Sequence, residues 1–216
     1  MVKRDDNVMG ASLAMIAKAP VAGRVKTRLT PPCTPGEAAA LAEAALADTL
    51  AAMRAAVTPG RRVVVLDGEP GNWTGADVEV IPQRGGGLDE RLAAAFADLD
   101  GPALIVGMDT PQVTPALLDR ALGALEDHDA VLGAADDGGY WCIGLRAPDP
   151  GALLGVPMSV ATTGASQRER LAALGLDFAE VDNLRDVDDF ESACAVAAAA
   201  PDTHFARCLS GLRVAA

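Results

Sequence analysis

Ala11-Ser-Leu-Ala-Met-Ile-Ala17 is apolar apart from one serine, and it runs directly into Lys18-Ala-Pro-Val-Ala-Gly-Arg-Val-Lys26-Thr-Arg28. A short apolar run bounded by charge has the length of a buried strand rather than of a helix. The segment behind it is a loop with four cations, Lys18, Arg24, Lys26 and Arg28, cornered by Pro20 and opened by Gly23. The chain has only three lysines against fifteen arginines, and two of those lysines stand in this loop. Cations and backbone N–H groups gathered after a strand can surround phosphate oxygens. A solvated surface loop is the plain alternative. Thr27 follows Lys26, but Val25 precedes it where a P-loop needs glycine, so this is not that motif.

Downstream, the spacing predicts a helix over Gly36–Ala56, with Thr34 as cap, Pro35 at its first position and Glu37 in the first turn. Strands are expected at Arg62–Leu66, Val78–Ile81 and Ala103–Val106, and helices at Leu88–Leu99 and Thr114–Glu126, the latter capped by Thr114. Alternating strand and helix imply a mostly parallel sheet covered on both faces, with ligands outside the carboxyl ends of its strands. Past Ala130 the pattern changes. Ala130–Ala135 and Tyr140–Leu145 flank Asp136-Asp137-Gly138-Gly139, which reads as an inserted hairpin. A last helix is expected at Val187–Ala199.

The 216 residues fit one domain, 11–216 behind a tail over 1–10, large enough to bury roughly 70% of its unfolded surface. No apolar run approaches the ~20 residues of a bilayer span. Lys3 and Arg4 before the first apolar run look superficially like an export signal, but Asp5 and Asp6 offset them, so a cytoplasmic protein is expected. A net charge of −12 argues against nucleic acid or an anionic membrane as partner, while leaving room for a small phosphorylated ligand in a local basic pocket. Cys33, Cys142, Cys194 and Cys208 lack C-x-x-C spacing and read as reduced thiols.

Several further positions carry chemistry. Asp109, in Gly107-Met108-Asp109-Thr110-Pro111, ends an apolar strand and suits Mg²⁺, which takes one or two protein carboxylates alongside substrate phosphates. Capping of the following turn is the structural alternative. Asp186 and Asp188, two apart in Asp186-Val187-Asp188-Asp189, fall on one side of an extended segment and could add a second carboxylate; Asp188 or Asp189 could equally cap the last helix. Gln83-Arg84-Gly85-Gly86-Gly87-Leu88-Asp89-Glu90-Arg91 puts three glycines at a strand-to-helix junction, where bare backbone can approach a base. Asp136, Asp137, Gly138, Gly139 and Tyr140 could bind an acceptor's polar groups. His128 and His204 read as surface residues, so no general base is assigned.

Taken together, AKAPVAGRVKTRL (17–29), QRGGGLDERLAAAF (83–96), GMDTPQVT (107–114), GAADDGGYWCIGL (133–145) and DVDD (186–189) occur in the order of a bacterial family of uncharacterised transferases. The chain resembles that family from Ala11 to Ala199. Members are often labelled glycosyltransferases or radical-SAM/selenodomain-associated transferases. The family looks like a branch of the nucleotide-diphospho-sugar transferases and is similar in plan to the guanylyltransferases of phospholactate and molybdenum cofactor synthesis. The resemblance implies a three-layer αβα, Rossmann-like glycosyltransferase-A fold. It puts Lys18, Gly23, Lys26 and Arg28 on the phosphate loop and Gly85–Gly87 on the base side. Asp109 falls on the metal position, with Asp188 as second ligand and Asp186 as its alternate.

The expectation that follows is an Mg²⁺-dependent nucleotidyltransferase. Lys26 and Arg28 would offset the β- and γ-oxygens, Lys18 would lean on the α-phosphate, and Pro20, Gly23, Arg24, Thr27, Arg84, Gly85, Gly86, Gly87 and Arg91 would hold the nucleotide. The partners are a nucleoside triphosphate or nucleotide sugar and a small phosphorylated or hydroxyl acceptor, with a homodimer conceivable through an exposed hairpin at Gly138–Trp141. The alternatives are glycosyl transfer from a nucleotide-diphosphate sugar and a non-catalytic nucleotide-binding regulatory protein.

Overall fold

The computed structural model describes residues 10–212. The tail expected over 1–10 therefore lies outside the described residues apart from Gly10. In chain order the elements are β1 (Ser12–Lys18), α1 (Pro35–Ala55), β2 (Arg61–Asp67), β3 (Glu79–Pro82), α2 (Leu88–Leu99), β4 (Ala103–Gly107) and α3 (Pro115–Ala124). Then come β5 (Ala130–Ala135), β6 (Tyr140–Leu145), α4 (Thr163–Ala173), β7 (Phe178–Leu184), α5 (Phe190–Ala199) and α6 (His204–Gly211).

The seven strands form one sheet in the order β3-β2-β1-β4-β6-β5-β7. Only β6 runs against the rest: β2 pairs in parallel with β3, β1 in parallel with β2 and β4, β5 in parallel with β7, and β6 antiparallel to both β4 and β5. Alternating residues of each strand face opposite layers. Leu13, Met15, Val64, Leu104 and Val106 meet Leu46, Leu50 and Met53 of α1 and Leu117, Leu118 and Ala121 of α3. Ala14, Val63, Val65, Ile105 and Ile143 meet Leu92 and Phe96 of α2 and Leu171 of α4. This is the expected three-layer αβα arrangement.

Local chemistry fixes the helix that follows the cationic loop. Thr34 Oγ1 accepts the Glu37 N–H at 3.3 Å while Glu37 Oε2 accepts the Thr34 N–H at 2.7 Å, a complete capping box with Pro35 behind it. The outer face of α1 packs on α5 and α6 through Leu41, Ala45, Ala193, Val196 and Phe205. Buried Asp48 of α1 holds α6 in place by accepting the N–H groups of His204 and Phe205, each at 2.8 Å.

Three expectations need correction. The inserted hairpin forms as expected, but it is not an exposed one: β6 lies between β4 and β5 and β5 between β6 and β7, and Trp141 is buried. It offers no free edge, so that basis for a homodimer falls away. The last helix does not begin at Val187; Asp189 caps it through the Ser192 N–H at 2.8 Å, and Asp186–Asp188 lie outside helix and strand before it. Nor is it last, since α6 follows. The expected sequence of elements also passed over α4 and β7. No described helix is long and apolar enough to cross a membrane.

Candidate functional site

The order of the sheet turns round at β1: successive strands step outward to β2 and β3, then β4 returns to the other side of β1. Carboxyl-terminal loops part at such a point and leave a crevice. A cleft of about 620 Å³ lies there, lined by Lys18 at the end of β1, Arg24, Lys26, Thr27 and Arg28 of the loop after it, Gly86 after β3, Arg91 in the first turn of α2, Asp109 after β4, and Asp188.

Val25 and Leu29 are buried in the core on either side of Lys26 and pin the loop at both flanks. Between them Lys26 adopts φ 49°, a left-handed conformation that non-glycine residues enter only when the surroundings hold them there. The holding groups are visible. Lys26 Nζ lies 2.6 Å from Asp109 Oδ1, with 8% of the lysine side chain exposed, and donates to the Val187 carbonyl. The Val187 N–H donates in turn to the Asp109 carbonyl at 2.8 Å. Val187 is itself fully buried, so one residue stitches the β1 loop, the β4 loop and the Asp186–Asp188 segment together.

Asp109 presents two different oxygens. Oδ1 is buried and charge-paired with Lys26, but the ammonium approaches outside hydrogen-bonding geometry, which leaves Oδ1 without a hydrogen-bond donor among the described residues. The side chain as a whole is 44% exposed, so its exposure is at Oδ2, toward the cleft. Asp186 lies beside it, half-buried. Burial first and the Asp137 charge second push its carboxyl up to about 6; Asp109 adds to this and Lys26 opposes it. Asp188 Oδ2 pairs with Arg28 Nη1 at 2.5 Å, both groups being exposed. Such an ion pair contributes about 1 kcal/mol or less.

On the β3 side, the Gln83 amide donates to the Ala17 and Val65 carbonyls at 2.7 and 3.1 Å, tying the turn to the ends of β1 and β2. Arg91 Nη1 reaches Gln83 Oε1 at 3.2 Å and Asp67 Oδ2 at 3.0 Å. Gly86 lines the cleft, and its N–H donates to Glu90 at 2.6 Å. Gly85, at φ 109°, and Gly87, the cap of α2, shape the turn without lining the cleft. Arg84 is turned away and pairs with Asp98 at 2.5 Å. Pro20 and Gly23 likewise belong to the cationic loop after β1 without lining the cleft.

A smaller pocket of about 190 Å³ adjoins the cleft and shares Asp109 with it. Asp137, Gly139 and Tyr140 of the hairpin line this pocket, together with Asp186. Asp136 does not: it accepts from Arg185 Nε at 2.9 Å and from Asn183. Gly138 faces α4, where its carbonyl accepts the Gly164 N–H at 2.8 Å. Both histidines sit at carboxylates away from the cleft, His128 at Asp177 (2.7 Å) and His204 at Asp48 (2.8 Å). Sequence reading assigned no role to Gln83, Thr110, Ser159 or Val187. Ser159 borders both pockets at φ 59°, a conformation that nothing in its residue type announces. Among the described residues no three His, Cys, Asp or Glu side chains gather as a ready-made metal cluster.

Residues 40–160 match the family model DUF2064, described as an uncharacterised protein conserved in bacteria. The chain belongs to this family. No curated protein matches it. Among solved structures, a candidate nucleotide-diphospho-sugar transferase from Desulfovibrio desulfuricans is similar over 93% of this chain and 94% of its own, with 23% identity and a TM-score of 0.82. The 2-C-methyl-D-erythritol 4-phosphate cytidylyltransferase of Thermus thermophilus is similar over 89% and 98%, at 18% identity and a TM-score of 0.55. CMP:2-keto-3-deoxy-manno-octonic acid synthetase, solved with CTP, is similar over 88% and 98%, at 13% identity and a TM-score of 0.55. At these identities the likeness shows a shared fold, that of the nucleotide-diphospho-sugar transferases.

Proposed function

We propose that this DUF2064 protein is a divalent-metal-dependent nucleotidyltransferase, moving a nucleoside monophosphate from a nucleoside triphosphate to a small acceptor with release of pyrophosphate. The observation that carries the reading is the meeting of the cationic β1 loop with the β4 acid, Lys26 to Asp109, at the edge of one cleft. The cytidylyltransferase and the CTP-bound synthetase of the same fold agree with it.

The residues present fit Mg²⁺. Asp109 offers an outward Oδ2, and Asp188 or Asp186 supplies a second hard oxygen, which matches an ion that keeps waters and shares phosphates. Bound there, the ion would act as a Lewis acid that neutralises phosphate oxygens. The chain's own groups do the rest. Lys18 and Arg24 have no carboxylate partner among the described residues and line the cleft, so both can receive phosphate oxygens without first breaking an ion pair. Lys26 keeps Oδ1 of Asp109 neutralised and so fixes the direction of Oδ2. Leu88, Leu92 and Ile16 give an apolar wall for a base, with the Gly86 backbone beside it. Phosphoryl chemistry of this kind needs positioning and charge neutralisation rather than a nucleophilic side chain.

Glycosyl transfer from a nucleotide sugar is the second reading, favoured by the likeness to the Desulfovibrio protein. A coupled assay separates the two. Pyrophosphate release from one of the four ribonucleoside triphosphates with Mg²⁺, and no nucleoside diphosphate release from UDP-, GDP- or ADP-sugars, is expected; the reverse pattern overturns nucleotidyl transfer.

A further inference from the structure

Leu88, Arg91 and Leu92 stand at i, i+3 and i+4 on one face of α2, and all three line the cleft. The two leucines belong to the apolar wall that suits a base, so the arginine between them stands where the polar edge of that base must be met. Arg91 Nη1 donates to Asp67 Oδ2 at 3.0 Å and to Gln83 Oε1 at 3.2 Å, and Nε donates to the Gly86 carbonyl at 3.2 Å. The carboxylate offsets its charge, which sets Arg91 apart from Lys18 and Arg24, and the three anchors hold the guanidinium plane in one orientation. Nη2 is left without a partner among the described residues, yet it is not enclosed by protein, and 26% of the side chain is exposed. A fixed group with two N–H bonds is therefore open in a residue that lines the cleft.

Neighbouring polar groups on this side of the cleft are already engaged. Gln83 donates through Nε2 to the Ala17 and Val65 carbonyls and accepts from Arg91, while the Gly86 N–H donates to Glu90 and its carbonyl accepts from Arg91. At the end of β1 the Lys18 N–H meets Met108 Sδ at 3.2 Å. We propose that Arg91 determines base specificity by donating through Nη2 to an exocyclic carbonyl, and that the nucleotide carries guanine, uracil or cytosine rather than adenine. This rests on the nucleotidyl-transfer reading above for the ligand's being a nucleoside triphosphate. An exocyclic carbonyl offers two lone pairs to the fixed N–H bonds, whereas the amine that adenine carries as its exocyclic group sets donor against donor. Because the guanidinium is anchored before a ligand arrives, little side-chain freedom is lost when this hydrogen bond forms.

Calorimetry of the full-length protein with Mg²⁺ compares ATP with ITP, which carries a carbonyl in place of the adenine amine, and both with GTP, UTP and CTP. The tightest of the four carbonyl-bearing triphosphates should bind about tenfold or more tightly than ATP. Arg91→Lys keeps a cation for Asp67 but has one nitrogen in place of the planar fork, so it should remove most of that difference, as should the neutral Arg91→Gln. A residue that only supported the turn would weaken all five triphosphates by a common factor and leave their ratios in place. Magnesium tripolyphosphate, which has no base, should bind the variants and the wild type alike, and so separates loss of base reading from loss of the phosphate loop. ATP bound as tightly as the best of the others, or a preference that survives both substitutions, overturns the proposal. A preference that the Arg91 variants abolish, without pyrophosphate release from any triphosphate, overturns nucleotidyl transfer but not the reading of the base; silence toward every triphosphate overturns both.

Discussion

Replacing Lys26 by methionine keeps the stem and removes only the ammonium, so its consequences follow from the geometry around that group. The pair lies at 2.6 Å. At an effective dielectric of about 20 this corresponds to a gross attraction of roughly 6 kcal/mol, most of it offset by desolvation of the lysine. Removing one partner of a fully buried pair costs about 3–5 kcal/mol. Asp109 keeps 44% exposure through Oδ2, which screens the orphaned charge, so about 1–2 kcal/mol is expected for Lys26→Met. For a chain of this size that lowers Tm by roughly 2–8 °C. Lys26→Met with Asp109→Asn removes both charges and should recover at least half of the loss, because no buried charge is then unpaired. Both proteins should turn over about 10²-fold or more below the wild-type rate. Thermal unfolding and urea titration of the wild type, the two single variants and the double variant complete the cycle. A Lys26→Met protein that melts with the wild type, or a double variant no more stable than Lys26→Met, would refute the reasoning.

Other outcomes follow from separate parts of the molecule. Asp186, raised to about 6 from its ordinary value of 3.8, is destabilised as a carboxylate in the folded chain. Its contribution to stability is present below pH ~4 and is lost as pH rises through 6. Urea unfolding in EDTA should show that decline, and Asp186→Asn should flatten it; an unchanged slope contradicts the assignment. Thr34→Ala breaks the capping box of α1 and should cost about 1 kcal/mol while leaving nucleotide affinity unaltered by calorimetry. Gly138→Ala forces an L side chain to φ 88° and against the Ala161 carbonyl, so about 2 kcal/mol or more should be lost and the adjoining pocket distorted. A Tm within about 2 °C of wild type would count against that placement.

Much of the cleft was legible because its residues stand at chain positions whose meaning is topological. Lys18 and Asp109 each follow an apolar run, and once both runs are parallel neighbours in one sheet the loops behind them must meet. The spacing of Asp186 and Asp188 carried similar information, since the two line the adjoining pockets while Val187 between them is buried. Less legible were elements whose stability comes from neighbours. β7 carries Glu180, Asp182 and Asn183 on an edge strand, two of them ion-paired to Arg168 and Arg120, and reads as polar loop until those helices are in place. The partition of the Gly-rich turn was also hidden. Arg84 and Arg91 look alike in sequence, and only the positions of Asp98 and Asp67 turn one away from the cleft and the other toward it.

The central claim is that the β1 cations and the β4 acid together hold a triphosphate with its metal, and isothermal calorimetry of the wild-type protein with each ribonucleoside triphosphate, with and without Mg²⁺, tests it most directly. At least one triphosphate should bind in the micromolar range only when Mg²⁺ is present, with affinity lowered about 100-fold by Asp109→Ala and by Lys18→Ala combined with Arg24→Ala. Silence toward all four, or equal binding of the unphosphorylated nucleosides, would contradict it.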